Sequence, residues 1–394
     1  MIRSPSMCRR EGGNHRCERL SSVRESLDWR SLKVNFLGSF SVCPRILKHT
    51  NDYCSYADTF MPHFLFAAGF SMRLSWERLA QLSRSARWLR FGRRLASLSL
   101  LAIVWYSLGE WGGIRKQLAM GGWTGLVVML AKRTWFQTLL HIAVTSAWIY
   151  PVIGKDLRTR VAWAVASGLL HVVLSWAFNF EWVNHDPRGI DGGPLGFLTW
   201  SIPALAGTAA CDWCCPAPER SMLRMLITGL MLGGLGYLIA TATTLYDFSP
   251  KSSSNPQSQL ASDPVWPASH RWNQWKLPEP PFVPPPAYES RPWNYWMMSQ
   301  RAATLSYCTF AAGVSLLVYT LFVWACDCHG RQISIFRTFG TNALAAYILH
   351  EILGWCSDLM VRRQASVVAT LTAMCVYLLA TYLLCRLLEW KQWY

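Results

Sequence analysis

Ionisable side chains withdraw from this chain in long blocks, and nothing else in the sequence restricts its fold as much. Charged residues make up 15% of the chain, where a soluble domain carries roughly a quarter. The blocks run over about Thr59–Trp76, Leu95–Gly109, Trp135–Ile153, Val161–Phe180, Leu195–Trp213, Met222–Thr244, Ala302–Cys326, Phe336–Trp355 and Ser366–Leu388. A bilayer core needs roughly 20 apolar residues per helical crossing, so the pattern predicts an all-α, polytopic transmembrane helix bundle of about nine spans. Gly121–Ala131 is apolar but too short to cross and reads as interfacial or re-entrant. The blocks lack strict alternation, which argues against transmembrane β-strands. Trp76, Trp105, Trp123, Trp182, Trp200, Trp324, Trp355 and Trp390 fall near block ends, where amphipathic rings favour the headgroup level.

The net charge of +16 would point to nucleic acid in a soluble protein. Here the basic residues sit in short connections, which orients the helices and calls for no nucleic-acid partner. The basic stretch Arg73–Arg94 reads as a cytoplasmic loop, and alternation then puts Lys155–Arg160, Arg220–Arg224, His329–Arg337 and the C-terminus on the same side. Four regions follow: an atypical polar extension at 1–47, a first transmembrane group at 48–246, a Pro/Trp-rich extracytoplasmic loop at 247–300 and a second transmembrane group at 301–394. No cleavable leader is visible in the Arg- and Ser-rich residues 1–33. The expected location is the bacterial cytoplasmic (inner) membrane, as a multi-pass protein in direct contact with lipid; a homodimer is compatible with such a bundle. The 13 cysteines fall mostly in apolar blocks and read as small buried side chains. Cys211, Cys214 and Cys215, and Cys326, Cys328 and His329, match no complete zinc spacing, so no metal site is assigned.

Ionisable groups at membrane depth are costly and are functional candidates for that reason. His49, Asp52, Asp58, His63, His185, Asp186, His350 and Glu351 gather at the predicted outward ends of separate blocks. Asn342 serves either as helix–helix glue or as a ligand contact. Asp186 lies in the turn Asn184-His185-Asp186-Pro187-Arg188-Gly189 and could equally cap the next helix. No phosphate-binding loop, dinucleotide fingerprint or nucleophile elbow occurs, so any chemistry sits within the bundle.

The stretch Ala57-Asp58-Thr59-Phe60-Met61-Pro62-His63-Phe64-Leu65-Phe66-Ala67-Ala68-Gly69-Phe70-Ser71 resembles a signature of the heparan-α-glucosaminide N-acetyltransferase-like membrane proteins. Arg93-Arg94 before an apolar block, the run Arg133–Ile149, Asp186-Pro187-Arg188-Gly189 and Phe339-Gly340-Thr341-Asn342-Ala343 resemble further motifs in the same order, across about residues 48–390. Residues 1–47 hold no counterpart of that family's first helix. The resemblance implies a membrane-bound acyltransferase that takes acetyl from acetyl-CoA, as co-substrate and not as a bound cofactor. The acceptor it implies is an amino sugar or other glycan on the far side. It implies catalysis by His49 with Asp58 as carboxylate partner, substrate contacts from Asp186, Asn342, His350 and Glu351, and CoA contacts from Arg93 and Arg94. The rival readings are a transporter or flippase, whose polar residues line a path, and a catalytically inactive structural relative.

Overall fold

The computed structural model describes residues 36–50, 53–215, 218–246, 260–285, 292–330 and 334–391. The readings for residues 1–35, for Asp52 and for the proline-rich stretches 247–259 and 286–291 lie outside those residues. Among the described residues the chain is helical and forms no strand, only a single bridge between Leu260 and Trp293.

The helices are α1 (Phe60–Ala80), α2 (Arg84–Gly109), α3 (Trp111–Met129), α4 (Thr138–Ile149), α5 (Leu157–Leu174), α6 (Phe197–Cys214), α7 (Pro218–Ala240), α8 (Leu305–Phe322), α9 (Ser334–Thr341), α10 (Ala343–Met360) and α11 (Val367–Trp390). A π-helical segment over Ser175–Asn179 carries α5 on to Asn184, and another over Val323–Cys328 extends α8. Four continuous helical stretches are long and apolar enough to cross a membrane: Leu157–Asn184, Glu219–Tyr246, Leu305–Cys328 and Val367–Trp390. They fit an integral membrane protein. On α5, Val161, Val165, Leu169, Val173 and Trp176 lie exposed at helical spacing, as do Leu223, Leu230, Met231 and Leu238 on α7 and Val368, Leu371, Val376, Leu379 and Leu383 on α11. Water would penalise apolar stripes of that size; hydrocarbon would not.

The centre of the bundle is α6, which packs on α1, α4, α5 and α8. Its inner positions are small: Ala204, Gly207, Thr208, Ala209 and Ala210. A Cβ placed on Gly69 of α1 would overlap the carbonyl of Ala204, and one placed on Gly207 would overlap the carbonyl of Phe66. Helix backbones approach this closely only through residues without side chains, which is how helices associate where lipid offers no hydrophobic drive. Gly313 of α8 meets the backbone of Gly229 and Gly233 on α7 in the same way. The α10–α11 pair has its own apolar cluster with Phe36, Phe40, Phe339 and Tyr377. It is tied to α2 by the Trp105–Trp355 stack, with ring centroids 5.8 Å apart, and by the paired hydroxyls of Tyr106 and Tyr347 at 3.0 Å.

Several boundaries depart from the sequence reading. The basic stretch Arg73–Arg94 is almost wholly helical: α1 runs on to Ala80 and α2 already begins at Arg84. Ser83 starts α2 by accepting the Ala86 N–H at 3.3 Å, and arginine is a good helix former whose charge does not stop a helix. The stretch Gly121–Ala131 belongs mostly to α3, which breaks at Gly122 with φ 61°. The block Phe336–Trp355 is divided at Asn342, between α9 and α10. The described part of the Pro/Trp-rich segment packs on the end of α7 and on the stretch before α1: Tyr237 donates to the Pro278 carbonyl at 2.7 Å, and the Phe282 N–H to the Cys54 carbonyl at 3.0 Å.

Candidate functional site

The short turn before α1 builds the site. Ala57–Thr59 forms a 3-10 turn that buries Asp58 completely. A buried carboxylate must be given donors, and Asp58 has them: the Ser55 N–H at 3.0 Å, the Thr50 hydroxyl at 3.1 Å and His49 Nδ1 at 2.9 Å. Tyr307 of α8 donates to the Asp58 carbonyl and ties the turn to the bundle. With Nδ1–H given to the carboxylate, Nε2 is the ring nitrogen of His49 left to accept a proton. The imidazole itself is half-exposed.

His49 faces a cavity of about 420 Å³ lined also by Phe60, Met61 and Phe64 of α1, Arg133, Gln137 and Thr138 around the start of α4, Gly189–Asp191, Gln300–Arg301, and Tyr347 and Glu351 of α10. Asp191 is the second buried acid. It starts a run of left-handed residues, Asp191, Gly192 and Gly193 at φ 54°, 83° and 57°. Its carbonyl accepts the Trp200 indole N–H at 2.8 Å, and its carboxyl accepts Gln300 Nε2 at 2.9 Å. Non-glycine residues seldom adopt that backbone, so the turn is held by these tertiary contacts.

Burial disfavours the charged imidazolium of His49, but the hydrogen bond and charge of Asp58, with smaller help from Asp191 and Gln300, outweigh it and raise its pKa above the usual 6.5. Burial pushes Asp191 up to about 6. Both groups hold a proton more tightly folded than unfolded, so each contributes stability at low pH that is lost as pH rises through its folded value. For catalysis the sign is the opposite, because a base must be unprotonated. The acid limb of kcat/KM is therefore expected above pH 6.5, and Asp58→Asn is expected to move it down. A limb that stays in place in Asp58→Asn would show that Asp58 does not set the histidine.

The cavity brings together His49 and Glu351 among the residues singled out from sequence, with Asp58 behind His49. Glu351 lies in the middle of α10, where it accepts the Trp105 indole N–H at 2.6 Å. Asp186 is outside the lining, 89% exposed at its side chain and 3.5 Å from Arg188. Asn342 is buried at the α9–α10 break, donating to the Thr338 carbonyl at 3.0 Å. His350 is buried beside Tyr347, with ring centroids 5.1 Å apart. His63 is buried in α1 and bonds the Thr59 carbonyl. Arg93 and Arg94 lie at the opposite end, where Arg94 joins Arg90, Ser75, Trp76 and Tyr150 around a smaller cavity of about 220 Å³. Phe60 and Ser75 line the two cavities, and the rise of α1 between them is about 22 Å. Asp191 and Gln300 escaped the sequence reading, and Arg133 and Gln137 were noted only as part of the run Arg133–Ile149, without a role. The one local signal was Asp191 before Gly192-Gly193-Pro194, a turn composition that carries no sign of a buried acid.

Cys211 and Cys215 lie with sulfurs 3.7 Å apart, and no group of three metal-ligating side chains forms among the described residues. No protein-family model matches this chain and no curated protein matches it, so any assignment of function rests on the site itself.

Proposed function

We infer that this chain is a membrane-bound acyltransferase that moves an acetyl or other acyl group from an acyl-CoA to an amino sugar or related glycan at the His49 end of the bundle. The observation that carries the reading is the His49–Asp58 pair, 2.9 Å apart, opening on a polar cavity. An amine nucleophile must lose a proton as it attacks a thioester. His49 Nε2 takes that proton while the new C–N bond forms and the C–S bond breaks, and the departing thiolate recovers a proton from the imidazolium. Asp58 orients the ring and stabilises its charged form. Arg133, Gln137, Thr138, Arg301 and Glu351 offer donors and acceptors to hydroxyls, and Phe60, Phe64 and Tyr347 offer flat apolar faces. Asp191 with Gln300 completes the wall beside His49.

In this reading the bundle crosses the bacterial inner membrane with about nine spans, the shorter apolar helices joining the four long ones. The arginine end, with Arg90 and Arg94, faces the cytoplasm by its charge and takes the phosphates of the acyl donor, whose extended arm carries the thioester towards His49. The test uses membranes from cells making the full chain, supplied with acetyl-labelled acetyl-CoA and a glucosamine-terminated acceptor. Labelled N-acetyl product above that from membranes without the protein is expected. No product from correctly inserted protein, across several acceptors and acyl chains, would overturn the reading.

A further inference from the structure

The arginine end contains a second cluster that the acyltransfer reading leaves unused. Asp212, in the last turn of α6, is shared by two arginines. Arg73 of α1 bonds it at 2.6 Å and also donates to the Ile153 carbonyl at 2.9 Å. Arg160 of α5 bonds its other oxygen. Two guanidinium groups against one carboxylate leave an excess positive charge. Arginine cannot shed it by deprotonation. Arg160 is only 1% exposed, and its Nε and Nη1 atoms are buried without a partner among the described residues. Trp163 stands one turn further along α5, and its indole N–H is likewise buried and unpartnered. All these orphans are donors, they lie three residues apart on one helix face, and they sit in the first two turns of α5, whose N-terminal end adds positive potential. The nearest acid on that turn, Asp156, is exposed and accepts from Thr159 at 2.5 Å.

A buried unpaired charge costs several kcal/mol unless an opposite charge or further hydrogen bonds compensate it. Donors without acceptors select an anion, and a guanidinium fork matches the oxygens of a phosphoryl group. Arg73 and Asp212 keep about a quarter of their side chains exposed, at 24% and 29%, so the cluster reaches the surface at its Arg73–Asp212 edge, with Arg160 behind it.

We propose that Arg160, Trp163 and Arg73, braced by Asp212, form a binding site for a phosphoryl group at the arginine end of the bundle. The phosphoryl group belongs either to a free phosphate compound or to the headgroup of an anionic lipid. The site stands apart from His49, at the other end of α1, so His49→Ala is expected to bind as the wild type does.

The experiment measures binding of radiolabelled inorganic phosphate and the thermal midpoint of the full chain in nanodiscs of zwitterionic lipid, at constant ionic strength set with chloride. The same midpoint is measured in discs containing phosphatidylglycerol. Phosphate binding that raises the midpoint in zwitterionic discs identifies the free source. Stabilisation by phosphatidylglycerol alone identifies the lipid source. Arg160→Gln is expected to remove either effect, with affinity falling tenfold or more. Trp163→Phe keeps the ring and removes one donor, and is expected to weaken binding by about 2- to 10-fold. Should Arg160→Gln fail to fold, Trp163→Phe decides. Absence of both effects in the wild type, or wild-type affinity in Trp163→Phe, overturns the site.

Discussion

His49→Ala is expected to lower acyl transfer by about 10²- to 10⁴-fold, the usual worth of a positioned general base. Little else should change. The imidazole is half-exposed and its bond to Asp58 is one of several that carboxylate accepts, and exposed side chains contribute little to stability. Expression, insertion and thermal midpoint should therefore stay near wild type while transfer collapses. The contrast is Asp58. Replacing it with alanine would strand the buried Ser55 N–H and loosen the turn that leads into α1, so Asp58→Ala should lose both activity and stability. The measurement is labelled-acetyl transfer at matched amounts of folded protein. Transfer by His49→Ala within tenfold of wild type would remove His49 as the base, and Asp191, the buried acid of the same wall bonded to Gln300, would become the group to replace.

The second large effect is structural. Gly69→Ala and Gly207→Ala each put a methyl group into a backbone carbonyl across the α1–α6 crossing. Neither partner is a side-chain end that could swing away, so the helices must separate. Overpacking of this kind costs about 1–3 kcal/mol, occasionally more. The double variant should cost less than the two single costs added, because separating the helices once relieves both clashes. Gly92→Ala of α2 is the control: a Cβ there meets nothing within 4 Å, and alanine in a helix is favoured over glycine. Thermal unfolding of detergent-solubilised protein should rank Gly92→Ala at or above wild type and both α1–α6 variants clearly below it. Equal midpoints for all three would mean that α1 and α6 do not cross as closely as described. Because α1 also carries the His49–Asp58 turn at its start, Gly69→Ala should weaken transfer along with stability.

The crossing also explains why some of the fold was readable and some was not. The long apolar stretches α5, α7 and α11 stand out because lipid demands a continuous apolar surface from any helix it touches. The central helix α6 is surrounded by protein, so its positions are chosen for smallness and for hydroxyls satisfied within the helix, such as Ser201 and Thr208 donating to carbonyls three residues back. The basic stretch before Leu95 misled in another way. Charge bears on which side of a membrane such a segment would face, but says nothing about whether it is helical, which is a matter of backbone hydrogen bonds and of Ser83 as cap.

The sequence by itself determined that this chain is helical and that its apolar surface is suited to lipid, because both follow from the local run of side chains and the length of a span. It also marked His49, Asp58 and Glu351 as costly polar groups near apolar blocks. Which of the marked groups meet was decided only by tertiary structure. His49 and Glu351 line one cavity although 302 residues separate them in the sequence, Asp186 turns outward, and Asn342 and His350 are enclosed within the α9–α11 region. The same holds for Asp212, whose two arginines lie 139 and 52 residues away. A hydrophobic run is a property of neighbours in the chain, whereas a buried charge is tolerated only by partners that the packing of distant helices delivers, and no local pattern records them.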